Sequence, residues 1–315
     1  MVLALHQTDA SRATLRSLFD YAGLFPPAAC SIEQACRAYD RARRSPVEWM
    51  LGSFVLALNR VDGLIAERER AGDGATWPVS VLLGAADEDA VARLGAARER
   101  WRGRLTLGAL EVAPLPPADI VVTARRLPSD VQVFFESPID SELDARLDAM
   151  AAAGACAKVR MGGVAVDAFP PVEAVARFLC GCRDRGLPFK ATAGLHHPLR
   201  GTQNVTYQDD SPRAVMHGFL NVALAAMLLS TGRIGDEDVP ELLAEESFEA
   251  FELGSRSVGW RDQRLTLDEI ERSRRSFFCS IGSCSFEEPV AELTALGVLE
   301  APAQGVGGSR LVSSR

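Results

Sequence analysis

The chain is short of lysine. Of its 34 basic residues only two are lysines, Lys158 and Lys190, and the rest are arginine. A composition so biased uses arginine wherever a positive charge on a flexible stem suffices. The two amines therefore mark positions where a guanidinium cannot substitute, unless they persist by chance in an arginine-rich chain. An amine can lose its proton when desolvated and then attack a carbonyl, whereas a guanidinium stays charged. Long apolar runs are scarce too: FLNVALAAMLL, at 219–229, is too short to cross a bilayer. Basic excess is absent, since the net charge is −8. That balance argues against nucleic acid and an anionic membrane surface as main partners.

The opening MVLALHQTDASR has neither a basic n-region nor an extended apolar run, which reads as no signal peptide and a cytoplasmic protein. The seven cysteines are odd in number and most lie in apolar runs, so reduced, buried thiols are expected rather than a disulfide framework. Cys180 and Cys182 form a C-x-C pair within a helical pattern, with no second pair to complete a zinc site. No cofactor is implied, and a homo-oligomer is left open.

With 315 residues and 47% hydrophobic content, the chain can bury a large core. Eight strand-like runs recur along it: 20–25, 54–59, 78–84, 105–112, 131–136, 156–161, 188–194 and 277–282. Segments with helical periodicity and charged faces separate them, such as PPVEAVARFLCGCRDRG, which opens on prolines and closes on glycine. This alternation predicts a (β/α)8 TIM barrel over residues 1–300 as a single domain. A doubly wound open sheet has the same alternation, but no G-x-G-x-x-G follows an early strand. Residues 195–276 form an enlarged connection between strands 7 and 8, expected as a polar loop, an apolar helix and an acidic helix. Residues 301–315 lack apolar periodicity and read as a disordered tail.

Catalytic groups of such barrels gather at the C-terminal ends of the strands. Lys158 and Lys190 fall on the neighbouring sixth and seventh strands. By alternation Lys158 shares a face with Arg160, and Lys190 with Thr192 and Gly194. If those faces point inward, burial and like charge both favour a neutral amine, so one pKa should fall. The competing arrangement is that both lysines reach the rim or form salt bridges with Glu111 and Glu136. Each lysine opens a K-x-x-x-G, KVRMG and KATAG, whose glycines would let a ligand approach the backbone. The segment SIGSCSFEEPV places Gly282, Ser283 and Ser285 before a helix, where amides bind anions. A capping box of Ser285 with Glu288 explains the same residues.

The stretch from KVRMGG at 158 to LHHPLR at 195–200 resembles the strand 6 and strand 7 region of class I aldolases of the deoxyribose-phosphate aldolase type. The turn SIGSCSF resembles that family's phosphate-binding turn. The resemblance implies a carbon–carbon lyase acting on a small carbonyl compound, phosphorylated or not. It makes Lys158 the imine-forming nucleophile and Lys190 its electrostatic partner, with Glu111 standing in for the proton relay. His196 is a second candidate for moving protons. Arg160, Gly162, Gly163, Thr192, Gly194, Arg200, Gly282, Ser283 and Ser285 would line the substrate and its anionic group.

Two other classes stay open. Glu136 with His196 or His197 suggests a metal-dependent barrel hydrolase or isomerase, although adjacent residues of an extended chain point opposite ways. The other is a non-catalytic, ligand-binding barrel. Asp20 reaches the pocket if its strand is suitably oriented. Trp260-Arg261-Asp262 reads as a packing corner or part of a lid, and His217 as a core or interface histidine.

Overall fold

In the computed structural model, residues 10–72, 74–84 and 88–300 are described. Eight parallel strands close into a barrel: β1 (Phe19–Tyr21), β2 (Leu51–Ala57), β3 (Trp77–Leu83), β4 (Leu105–Val112), β5 (Gln132–Glu136), β6 (Cys156–Arg160), β7 (Phe189–Thr192) and β13 (Phe278–Ser283). The order around the barrel is β1-β13-β7-β6-β5-β4-β3-β2, so the first and last strands pair and no edge remains. Helices follow the strands, giving a (β/α)8 TIM barrel. Each strand-like run of the sequence overlaps a barrel strand. The first shrinks to three residues, because the glycine and two prolines of YAGLFPP end it in a loop. The tail at 301–315 lies outside the described residues.

Strands covered on both faces read as nearly continuous apolar runs, and WPVSVLL in β3 is buried at five of its seven positions. Local chemistry sets the helix starts. Ser31 caps Ile32–Arg43 in a capping box with Gln34, and Thr266 caps Leu267–Ser276 with Glu269.

The connection between β7 and β13 differs from expectation. Its polar part is a hairpin, β8 (Gly201–Asn204) with β9 (Arg213–Met216). The apolar helix forms over Phe219–Ser230, buried on every side except at its last residue. The acidic stretch makes only a short helix, Val239–Ala244, and then turns into an antiparallel sheet of β10 (Phe251–Leu253), β11 (Ser257–Trp260) and β12 (Gln263–Thr266). Phe251, Val258, Trp260 and Leu265 alternate with polar residues and bury against the main core, a period of two that suits a strand. Arg261, at φ +52, sits in the β11–β12 turn with its guanidinium 4.3 Å from the Trp260 ring centroid. The Trp-Arg-Asp segment is thus a packing corner.

Candidate active site

Five charged side chains meet inside the barrel. Strand register sets Lys158 directly beside Lys190 on one side and Glu136 on the other. Glu111 of β4 lies between the amines: Oε2 is 2.7 Å from Lys158 Nζ, and Oε1 accepts from Lys190 Nζ at 2.7 Å. Glu136 Oε2 lies 3.0 Å from Lys158, and Asp20 Oδ2 accepts from Lys190 at 2.7 Å. The charges alternate as Asp20, Lys190, Glu111, Lys158, Glu136, three negative against two positive.

Hydroxyls and one amide fill the remaining valences. Ser80 donates to Glu111 Oε1, Ser280 to Asp20 Oδ2, and the Ser53 amide to Asp20 Oδ1. Lys190 Nζ also lies 5.6 Å from the Phe134 ring centroid. Both lysines are almost sealed from solvent, at 3% exposure for Lys158 and 1% for Lys190. Glu136 is the most open member.

Electrostatics correct one expectation. Burial opposes charge on Lys190, but Asp20 and Glu111 outweigh it, so its pKa lies above the ordinary lysine value. Burial likewise opposes ionisation of Glu111, and Lys190 and Lys158 together hold its carboxyl well below the usual range. The competing arrangement is the one found: salt bridges join Lys158 to Glu111 and Glu136, and Lys190 to Glu111. Asp20, Ser80 and Ser280 complete the array; Asp20 carried a signal, as a lone acid in an apolar strand, and the serines carried none.

The other candidates divide. Arg160 shares the Lys158 face, is exposed at the end of β6, and has no ion-pair partner among the described residues. Gly162 and Gly194 face each other across the ends of β6 and β7. A Cβ on Gly194 would lie 3.0 Å from the Gly162 Cα, and Phe169 stacks over both. Gly194 has φ +70, where a side chain is strained. Their closeness accommodates the Phe169 ring. Gly163 packs against Ala168, and Thr192 Oγ1 occupies the space a Cβ on Gly282 would need. Arg200 is half-buried, and its amide donates to Asn221 Oδ1.

The turn after β13 caps its helix, Glu287–Ala295. Ser285 Oγ accepts from the Glu288 amide at 3.1 Å, and Ser283 Oγ donates to the Ser285 carbonyl. Only half the capping box forms, because the Glu288 carboxylate turns to His196, at 3.1 Å from Nδ1, and to Tyr207. His197 Nδ1 meets Glu292 at 2.5 Å. Both histidines are therefore engaged with the last helix, while Glu136 serves Lys158. The metal set of Glu136 with His196 or His197 is not assembled, and no grouping of His, Cys, Asp and Glu suited to a metal occurs among the described residues. Nor does His196 join the lysine array. His217 is a core histidine, fully buried with Nε2 2.7 Å from the Pro170 carbonyl. Cys180 and Cys182 are free thiols on the helix Val172–Asp184.

No protein-family model matches the chain, and no curated protein matches it. No helix among the described residues is long and apolar enough to cross a membrane.

Proposed function

We propose that the chain is a Schiff-base carbon–carbon lyase acting on a small carbonyl compound, with Lys158 as the nucleophile. The observation that carries this reading is the pair of amines, in register on adjacent strands and joined by the single carboxylate Glu111. Two buried ammonium groups are costly to hold in a barrel interior, where packed apolar residues would serve stability as well or better. Their cost finds a reason in chemistry.

Lys158 is the amine bonded to Glu136, the most open acid of the array at 15% side-chain exposure. Transfer of its proton to Glu136 frees the Nζ lone pair to attack the substrate carbonyl carbon. The carbinolamine loses water to give an iminium. A carboxylate removes the proton of the β-hydroxyl, the adjacent C–C bond breaks, and its electron pair moves into an enamine. Protonation of the enamine carbon and hydrolysis return the amine and the second carbonyl product. Lys190 keeps Glu111 ionised throughout, so Glu111 stabilises the positive iminium rather than storing the proton. Arg160, unpaired on the same face, is placed for an anionic substituent such as a phosphate.

Borohydride trapping tests this. With a panel of short aldehydes and ketones, reduction should add covalent mass to the Lys158 peptide, and Lys158→Met should abolish it. With two lysines in the chain, only the terminal amine competes. If no member of the panel is trapped at Lys158, the lyase reading falls. A second reading then leads, favoured by the mutual satisfaction of all five charges: a barrel whose ionic core layer is structural.

A further inference from the structure

Outside the lysine array, a second cluster joins a thiol to an imidazole and a carboxylate. Cys284, at the end of β13, has its Sγ 3.9 Å from His196 Nε2. Glu288 Oε2 lies 3.1 Å from Nδ1 of the same ring, and the Tyr207 hydroxyl donates to that oxygen at 2.9 Å. Tyr207 Oη also lies 3.5 Å from Cys284 Sγ. The sulfur lies 4.0 Å from Nδ1 as well, so a thiol, an imidazole and a carboxylate are in contact, with the base beside the nucleophile and the acid holding the ring. None of this follows from the lyase reading, since Cys284 lies apart from the lysine array.

We propose that Cys284 is a nucleophilic thiol, held as a thiolate–imidazolium pair with His196, and that a small hydroperoxide modifies it. The way in is a surface pocket of about 440 Å³, lined by Cys284, Tyr21, Ala28, Cys30, Tyr207 and Ser285 among others. Two other buried thiols show the ordinary effect of burial, which pushes Cys36 and Cys156 up to about 12 and disfavours the reactive thiolate. Cys284 differs. Burial works against its ionisation too, yet the contacts from His196 and Tyr207 outweigh it and bring its pKa below the ordinary value. His196 moves the other way, raised by Cys284 and Glu288 against its burial.

In the reaction the sulfur attacks the near oxygen of the peroxide and the O–O bond breaks. The leaving oxyanion takes the His196 proton to become water or an alcohol. Sulfur is oxidised by two electrons to the sulfenic acid, and the peroxide is reduced by two.

Cys30 is an internal control: it lines the same pocket, is more exposed than Cys284, and has no imidazole contact among the described residues. The native chain is treated with limiting hydrogen peroxide, then dimedone, and each cysteine peptide is followed by mass spectrometry. Alkylation by iodoacetamide at pH 6 is measured in parallel. Dimedone should mark Cys284 before Cys30, and Cys284 should alkylate faster by about tenfold or more, as expected of a thiolate against an ordinary thiol. His196→Asn should abolish that advantage at pH 6 and leave alkylation at pH 9 intact. Equal or faster labelling of Cys30 in the native chain overturns the proposal, whether or not the variant folds.

Discussion

Glu111 is the side chain on which both amines depend, and it is 2% exposed. Replacing it by glutamine preserves its shape but leaves two ammonium groups sharing one fewer anion in a dry interior. Breaking a buried ion pair in this way costs about 3–5 kcal/mol. Glu111→Gln should lower unfolding free energy by that amount in a denaturant titration. Glu136→Gln, at a less buried site with one amine partner, should cost clearly less. Equal effects would mean that Glu111 does not hold the array together. The residue scale also explains which part of the site was readable. Two lysines in an arginine-rich chain, and their places on adjacent strands, are visible in the sequence; that both point inward is decided by the fold. The sequence offers Glu111 as a salt-bridge partner but does not decide that it sits between them, because it lies 47 residues upstream of Lys158 and only the fold brings it there.

Among the elements, the connection between β7 and β13 is the least regular, and Asn221 on its apolar helix ties it together. The Asn221 amide donates to the carbonyls of Leu242 and Glu245, and its oxygen accepts from the Arg200 amide. One side chain thus bonds three backbone groups from two segments, of which the Leu242 carbonyl also accepts from the Glu245 amide. Asn221→Leu should destabilise the chain by about 3 kcal/mol, since each buried polar group left unpaired costs about 1–3 kcal/mol. Hydrogen exchange should report faster opening of residues 239–245. An unchanged exchange rate there would show that the helix contacts alone hold the segment. The acidic stretch misread as one helix teaches the same lesson. Its end, Phe251–Leu253, pairs with the strand Ser257–Trp260 instead, and burial of Phe251 against the core overrides the helical propensity of the glutamates.

For the molecule as a whole, the array sets a window of pH stability. Glu111 has a folded pKa below its unfolded value, so its contribution is present above about pH 4.3 and is lost as pH falls below that. Lys190 has a folded pKa above its unfolded value, so its contribution is present below about pH 10.4 and is lost as pH rises through the folded value. Stability measured by urea midpoint should therefore fall at both extremes and stay level between. In Glu111→Gln the acid fall should be shallower. An acid limb identical to that of the wild type would assign acid unfolding to other carboxylates. Access is also a property of the whole chain, since Phe169, His196 and Tyr207 meet around a cavity of only about 30 Å³ on the side of the β7 end.

By itself the sequence determined the barrel and the placement of its two amines. Alternating strand and helix periods, closed by eight repeats, leave few ways to bury so many apolar faces. Which side chains meet inside that barrel was a matter of tertiary structure. A lysine on a strand can face a metal, a like charge or a carboxylate, and strand spacing does not distinguish them. The choice is made by Glu136 on the neighbouring strand and by Asp20 and Glu111, which the closed barrel brings from further round within hydrogen-bond reach. The same holds for His196. Its neighbour His197 suggested a ligand pair, but the last helix supplies a separate glutamate to each ring, and packing turned His196 toward Cys284 instead.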